Sequence, residues 1–141
     1  MVCSSVMSEQ PLVSIVIVSW NVRGLLRACL RSVESCVEHP HEVIVIDNAS
    51  TDGTVDMVRA EFPRIKLIAN TTNVGFARAN NQAREHVRGS WVCFLNPDTE
   101  LMSDAVADVV RWAETKERVG IVGPELLHAD RTHQQSVRNF P

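Results

Sequence analysis

The strongest constraint on the fold is a nearly unbroken apolar run, rich in β-branched residues, from Leu12 to Val18. Runs of this kind are strands buried on both faces, and they are typical of parallel sheets covered by helices. Four more apolar runs follow, beginning near residues 42, 65, 91 and 119. Because helix-length segments separate them, the pattern predicts right-handed βαβ crossovers. We therefore expect a three-layer α/β fold, with helices on both faces of a mostly parallel, five-stranded sheet.

Amphipathic segments between these runs predict the covering helices. Their apolar positions fall within residues 25–37, 54–62, 76–87 and 106–113. On the third helix, Asn80 shares the expected sheet-facing stripe with Phe76, Ala83 and Val87. A buried amide must find hydrogen-bond partners. Asn80 is therefore expected either to bind the backbone of a neighbouring loop or to orient a ligand pocket.

Length, charge and hydropathy limit the classes of protein that this chain fits. A chain of 141 residues suits one domain, and a net charge of -3 argues against a nucleic-acid partner. The longest apolar run, residues 12–20, is about half of the roughly 20 residues that a transmembrane helix needs. We expect a flexible leader over residues 1–10, an α/β domain over 11–124 and a polar tail over 125–141. A hairpin is predicted about Asp130 and Arg131.

The cysteines are expected to be structural. Cys3, Cys29, Cys36 and Cys93 form no CxxC pair, and Cys29 and Cys36 lie seven residues apart on one helical face. Buried free cysteines usually act as small apolar residues. This usage indicates a reducing compartment, the cytoplasm.

The candidate site lies where the predicted strands end, because ligands of open parallel sheets bind beyond the carboxyl ends of the strands. Neither GxGxxG nor GxxxxGK[ST] follows the first strand, which excludes the common dinucleotide and P-loop cradles. The predicted nucleotide-binding residues are Ser19, Trp20, Asn21, Asp47, Asn73, Gly75 and Asn80, and the predicted metal ligand is Asp98.

Two of these residues have base-recognition chemistry. The Asp47 carboxylate can accept a hydrogen bond from a nucleobase N–H; its alternative role is to cap the following helix. Asp52 is already suited to that capping, which favours the binding role for Asp47. The Trp20 ring can stack on a base, with core packing as the alternative.

Three further residues, Asp98, Asn73 and Gly75, suit a phosphate group. Asp98 can hold Mg²⁺ or Mn²⁺ that bridges a pyrophosphate, and its alternative is an Asx turn with Thr99. Asn73 and Gly75 suit a sharp turn at a helix N-terminus, a place that favours anions.

Four blocks of sequence resemble the family 2 glycosyltransferases, and most closely their rhamnosyltransferase-like subgroup. The blocks are Val13–Asn21, Val45–Thr54, Asn73–Asn81 and Phe94–Leu101, and the resemblance runs from about Pro11 to Pro141. It implies a Rossmann-like, glycosyltransferase A-type fold whose N-terminal half binds a nucleotide diphosphate sugar.

The resemblance also implies roles for individual residues. Asp47 matches the residue that contacts the base, and Ser19 and Trp20 match the loop that lines the base pocket. Asp98 matches the last acid of the DxD motif that binds the divalent cation, although Asn96 stands where the first acid usually is. The implied reaction is inverting transfer of a sugar from a UDP- or dTDP-linked donor to a saccharide or lipid-linked saccharide acceptor.

The catalytic base is not assigned. In the family it belongs to a later acidic motif, and no residue of these 141 matches that motif. The alternative function is therefore a truncated, non-catalytic nucleotide-binding or interaction module. An uncovered sheet edge also makes a homo-oligomer an expectation. The expected location is the cytoplasm, either free or peripheral to the inner face of the membrane.

Overall fold

The computed structural model of the protein describes residues 12–135. Its strands are β1 (Val13–Ser19), β2 (His41–Asp47), β3 (Lys66–Ala69) and β4 (Trp91–Phe94). Its helices are α1 (Arg23–Cys36), α2 (Thr54–Glu61), α3 (Phe76–Gln82) and α4 (Ala105–Glu114), and one 3₁₀ turn, Ala83–Glu85, follows α3. The predicted leader, residues 1–10, and the end of the predicted tail lie outside the described residues.

The four strands form one parallel sheet in the order β3-β2-β1-β4. β1 lies at its centre, and all seven of its residues are buried. It pairs with β2 from Val13–His41 to Ser19–Asp47 and with β4 from Val13–Trp91. This confirms the predicted α/β class with its parallel sheet, and it aligns the carboxyl ends of β1 and β2.

Both faces of the sheet are covered, as expected for three layers. Alternate residues of β1 and β2 form one core with α3, in which Val16 and Ile44 pack with Ala79 and Ala83. The residues between them, such as Ile15, point to the opposite face and are also fully buried. The helices α1 and α2 contact each other, and each has a stripe of buried residues. These stripes cover the second face of the sheet.

The predicted fifth strand is wrong. Residues 119–123 adopt no strand and pair with no other part of the described chain, and Ile121 is 98% exposed. Gly120 and Gly123 interrupt this segment, and glycine within a strand costs backbone entropy and offers no side chain to pack. Three apolar residues are too few to offset that cost.

The predicted sheet-facing stripe of α3 is also wrong in part. Ala79 and Ala83 are the buried residues, whereas Phe76 is 61% exposed. Asn80 is only partly buried, and its Nδ2 donates to the carbonyl oxygen of Phe76 at 3.1 Å. The small alanines let the helix approach the sheet closely, and the larger side chains turn outward.

The amino-terminal edge of the sheet is fixed by a polar cluster around Ser14. Its Oγ donates to Glu42 Oε1 at 2.6 Å and accepts the Gly89 N–H at 2.9 Å. Arg88 also donates to Glu42, through its backbone N–H and its guanidinium. Desolvation would raise the pKa of Glu42, but the hydrogen bonds from Ser14 and Arg88 outweigh it and hold that pKa below its usual value.

The chain divides into two compact units, and the second begins at Ala105. In the second, α4 buries Ala107, Val110 and Ala113, and a hairpin turns about Asp130 and Arg131 as predicted. The Leu127–His133 bridge and a hydrogen bond from the Gln134 N–H to the Leu126 oxygen close this hairpin. The predicted boundaries at residues 10 and 124 stay predictions. No helix within residues 12–135 is long and apolar enough to cross a membrane.

Candidate functional site

Two buried polar atoms at the carboxyl edge of the sheet lack partners. Ser19 and Asp47 are register partners that end β1 and β2, and they are 0% and 1% exposed. Asp47 Oδ2 accepts the Ser50 N–H at 2.9 Å. Asp47 Oδ1 and Ser19 Oγ have no hydrogen-bond partner in the described part of the chain. A buried polar atom left in this way costs about 1–3 kcal/mol, so both atoms would gain a hydrogen bond from a polar ligand that reaches them.

Asp52 takes the capping role that was the alternative for Asp47. It lies just before α2 and accepts the Thr54 N–H at 3.1 Å. Its other oxygen accepts the Arg23 N–H, near the start of α1, at 2.9 Å. Desolvation would raise the pKa of Asp52, but the hydrogen bonds from Thr54 and Arg23 lower it overall. Asp47 Oδ1 is therefore not needed at either helix.

Trp20 and Asn21 follow β1 and behave differently. The Trp20 side chain is 55% exposed, so it does not pack in the core. Asn21 has a left-handed backbone, with φ of 53°. Its N–H donates to Ser50 Oγ at 2.9 Å, and its Oδ1 accepts the Thr51 N–H at 2.8 Å. Asn21 thus ties the loop after β1 to the loop after β2, and Trp20 is left accessible beside Ser19.

A network of amide side chains holds the loop after β3. Asn48 Nδ2 donates to Asn73 Oδ1 at 2.8 Å, and Asn73 Oδ1 also accepts the Gly75 N–H. Asn70 and Gln82 exchange two hydrogen bonds, of 3.0 and 2.9 Å. The predicted residues Asn73 and Gly75, whose φ is 82°, therefore form the sharp turn before α3.

Asn48, Asn70 and Gln82 were not predicted as site residues. Asn48 Oδ1 accepts from Asn70 Nδ2 and from the Val74 N–H, so Asn48 joins the ends of β2 and β3. The available signal was position: Asn48 and Asn70 directly follow these two parallel strands. Asparagine at such ends bonds readily to nearby backbone.

The predicted metal ligand Asp98 lies on the loop after β4. Its carboxylate is exposed and makes no hydrogen bond within residues 12–135. The turn there is made by backbone, from the Thr99 N–H to the Asn96 oxygen at 3.2 Å, and not by the alternative Asx turn. No group of three or more metal-ligating side chains exists among the described residues. One carboxylate still fits Mg²⁺ or Mn²⁺ shared with a nucleotide, since such ions take one or two carboxylates plus phosphate oxygens.

Cys29 lies beneath this loop and is fully buried. Its Sγ is 3.7 Å from the Asn96 carbonyl oxygen, to which it donates. Desolvation, with the nearby carboxylates of Asp98 and Glu100, raises the pKa of Cys29 to about 12. Burial also raises the pKa of Cys93. Both thiols are therefore protonated near neutral pH, which suits the structural role predicted for them.

The chain is similar in sequence to known glycosyltransferases. A family model described as glycosyl transferase family 2 matches residues 14–138. The putative teichuronic acid biosynthesis glycosyltransferase TuaG of Bacillus subtilis is 36% identical over 99 residues, which are 67% of this chain and 39% of TuaG. The N-acetylglucosaminyl-diphospho-decaprenol L-rhamnosyltransferase of Mycobacterium tuberculosis is 27% identical over 138 residues, 90% of this chain and 45% of that protein.

A solved structure gives the same fold. The mannosyltransferase PcManGT from Pyrobaculum calidifontis, solved in complex with GDP-Man and Mn²⁺, superposes with a TM-score of 0.66 at 29% identity. The match covers 73% of this chain and 32% of that one. The chain thus spans less than half the length of the relatives that it matches. Because the family model matches residues 14–138, most of the chain, and TuaG is 36% identical, this chain belongs to glycosyl transferase family 2.

Proposed function

We propose that this chain is the donor-binding part of a glycosyltransferase and that it binds a nucleotide diphosphate sugar at the carboxyl edge of the sheet. The observation that carries the proposal is the unpartnered, buried pair Asp47 Oδ1 and Ser19 Oγ. The pair lies at the strand ends, where ligands of parallel sheets bind. Family membership favours a nucleotide sugar as that ligand.

The chemistry of this pair favours a uracil or thymine base. Asp47 Oδ1 can accept a hydrogen bond from a ligand, and the Ser19 hydroxyl can donate one to it. The imide edge of uracil or thymine offers one N–H between two carbonyl oxygens, which satisfies both atoms. The exposed ring of Trp20, the next residue, is available to stack on the base. A UDP- or dTDP-linked sugar is therefore the proposed donor.

The diphosphate is proposed to lie toward the loop after β4. Asp98 would hold a divalent cation there together with phosphate oxygens. The cation would neutralise charge on the diphosphate leaving group. PcManGT, solved in complex with GDP-Man and Mn²⁺, supports this use of a metal. In this arrangement, residues of the chain bind the base and orient the donor. The sugar then lies at the carboxyl edge of the sheet.

The acceptor is proposed to be a saccharide or lipid-linked saccharide hydroxyl, attacking the anomeric carbon with inversion. The name of the mycobacterial relative, which includes a diphospho-decaprenol group, supports a lipid-linked acceptor and action near a membrane. Self-association is a further expectation, because β4 pairs on one side only among the described strands. Light scattering distinguishes a monomer from this assembly.

Calorimetry with UDP, dTDP and GDP, each with Mn²⁺ or with EDTA, tests the proposal. UDP or dTDP should bind more tightly than GDP, and Asp47→Ala should weaken binding about tenfold through the lost hydrogen bond. Asp56→Ala, an exposed carboxylate on α2, is the matched control and should bind normally. Failure of all three nucleotides to bind would contradict the proposal. If Asp47→Ala unfolds, and what stays folded binds normally, Asp47 is structural.

A radiolabelled-donor assay separates the enzyme from the alternative, a non-catalytic binding module. Sugar transfer by the 141-residue chain would show that its residues include a catalytic base. Nucleotide binding without transfer would favour a donor-binding module.

A further inference from the structure

One side of α1 makes a set of bonds to the loop after β4, Asn96–Leu101. Ser32 is buried, and its Oγ accepts the Leu101 N–H at 3.0 Å. The same Oγ donates to the Cys29 carbonyl oxygen of its own helix at 2.7 Å, which fixes the hydroxyl in place. The hydroxyl of Ser32 therefore faces the loop as an oriented acceptor.

Two cysteines on the same side of α1 add to this contact. Cys36 Sγ donates to the Leu101 oxygen at 3.3 Å, and Cys29 Sγ approaches the Asn96 oxygen at 3.7 Å. Residues 29, 32 and 36 recur at helical spacing, so one face of α1 holds both ends of the loop. We call Cys29, Ser32 and Cys36 the α1 clamp.

The centre of the loop depends on its ends. Among residues 12–135, one further hydrogen bond forms within the loop, from the Thr99 N–H to the Asn96 oxygen, and Asp98 makes none. The position of the Asp98 carboxylate is therefore set by the backbone on either side of it. Ser32 is the strongest attachment of that backbone, because oxygen forms better hydrogen bonds than a thiol.

We propose that Ser32 is a positioning residue for donor binding, which holds the Asn96–Leu101 loop so that Asp98 meets the cation and the diphosphate. This inference rests on the proposed function. Ser32 does not touch the donor. It acts through the Leu101 backbone, and its loss should affect the cation-dependent part of nucleotide binding and leave base recognition at Asp47 intact.

Three variants of the full chain test the clamp. Ser32→Ala removes the acceptor. Ser32→Thr keeps a hydroxyl that can bond the carbonyl three residues earlier in a helix, so it should restore the contact. Ser35→Ala is the control, because Ser35 makes the same kind of back-bond, to the Ser32 oxygen, and bonds no residue of the loop, although its Oγ lies 3.6 Å from Cys36 Sγ.

Two measurements are made on each variant. Hydrogen exchange of the Leu101 amide reports attachment of the loop without any ligand. Calorimetry uses the tightest binder of UDP, dTDP and GDP, with Mn²⁺ and with EDTA. Ser32→Ala should exchange Leu101 at least about tenfold faster and bind about three- to tenfold more weakly with Mn²⁺, the range of one lost hydrogen bond. Its affinity in EDTA should not change.

The outcomes separate this inference from the proposed function. Unchanged Leu101 exchange in Ser32→Ala would overturn the clamp, whatever the chain binds. Faster exchange with unchanged affinity in Mn²⁺ would overturn the positioning role alone. If the unsubstituted chain binds no nucleotide, the proposed function and the positioning role both fail, and the exchange data then describe a purely structural contact. Equal losses in Ser35→Ala would assign the effect to the helix and overturn the inference.

Discussion

Replacing Ser19 by alanine should stabilise the free protein and weaken its nucleotide binding. The Ser19 hydroxyl is fully buried without a partner, so its removal ends a desolvation cost of about 1–3 kcal/mol. The void left by one oxygen costs about 0.3 kcal/mol, taking roughly 24 cal/mol per Å³. The net gain in unfolding free energy is about 1–2.5 kcal/mol, which corresponds to an increase in Tm of about 3–10 °C for a domain of this size.

Ser14 supplies a matched control on the same strand. It is equally buried, but its hydroxyl donates to the Glu42 carboxylate and accepts the Gly89 N–H. Ser14→Ala should therefore lower the unfolding free energy by about 1.5–3 kcal/mol, the value of a hydrogen bond to a charged group. The same substitution, five residues apart on one strand, should change stability in opposite directions.

Urea unfolding followed by circular dichroism measures both variants, and calorimetry with UDP or dTDP measures their binding. Ser19→Ala should bind the nucleotide about three- to tenfold more weakly, because a hydrogen bond made only in the complex is lost. A decrease of 1 kcal/mol or more in the stability of Ser19→Ala would refute the reasoning, since the hydroxyl would then have a partner in the free protein.

Four further substitutions have defined outcomes. In Gly89→Ala, the new Cβ would lie 2.5 Å from the Ser14 backbone nitrogen, so denaturant unfolding should show a free energy of unfolding lower by about 1–3 kcal/mol. In Gly24→Ala, the new Cβ has open space in α1, so the free energy of unfolding should rise by about 0.5–1 kcal/mol. The Glu42 carboxylate has a lowered pKa in the folded protein, so it stabilises the fold above about pH 4.5, and this stabilisation is lost as the pH falls through the pKa of folded Glu42. Glu42→Gln should therefore flatten this part of an acid unfolding curve monitored by fluorescence. Asp98→Ala should abolish the Mn²⁺ dependence of nucleotide binding in calorimetry, and unchanged dependence would exclude Asp98 as the ligand.

The parts of the fold that sequence could predict are those with a strong local pattern. The long β-branched runs at residues 12–18 and 42–46 identified the two central strands, because only a strand buried on both faces tolerates such composition. The short run at 119–123 carried the same signal more weakly, and it failed because strand formation depends on a partner that local sequence does not specify. On α3, the predicted stripe of Phe76, Asn80, Ala83 and Val87 was wrong at Phe76 and missed Ala79, because close packing against the sheet favoured the small side chains of Ala79 and Ala83.

The candidate site likewise has residues that the sequence could predict and residues that it could not. Ser19 and Asp47 could be found because parallel strands bring their ends together, a rule that needs only the strand assignments. Asn48 and Asn70 carried the same positional signal, because they directly follow β2 and β3, but their network with Gln82 could not be predicted, because it joins three separate elements. The hydrogen bond that the Leu101 N–H donates to Ser32 Oγ could not be predicted for the same reason.

The central place of β1 has a consequence for biosynthesis. Its first partner, β2, follows after one helix, but its other partner, β4, begins only at Trp91. As the chain leaves the ribosome, one edge of β1 therefore stays open while about 70 further residues are made, and open edges attract other strands. Pairings this distant in sequence form slowly. Pulse-labelled nascent chains should thus protect the β1–β2 amides first and should bind chaperones until β4 emerges.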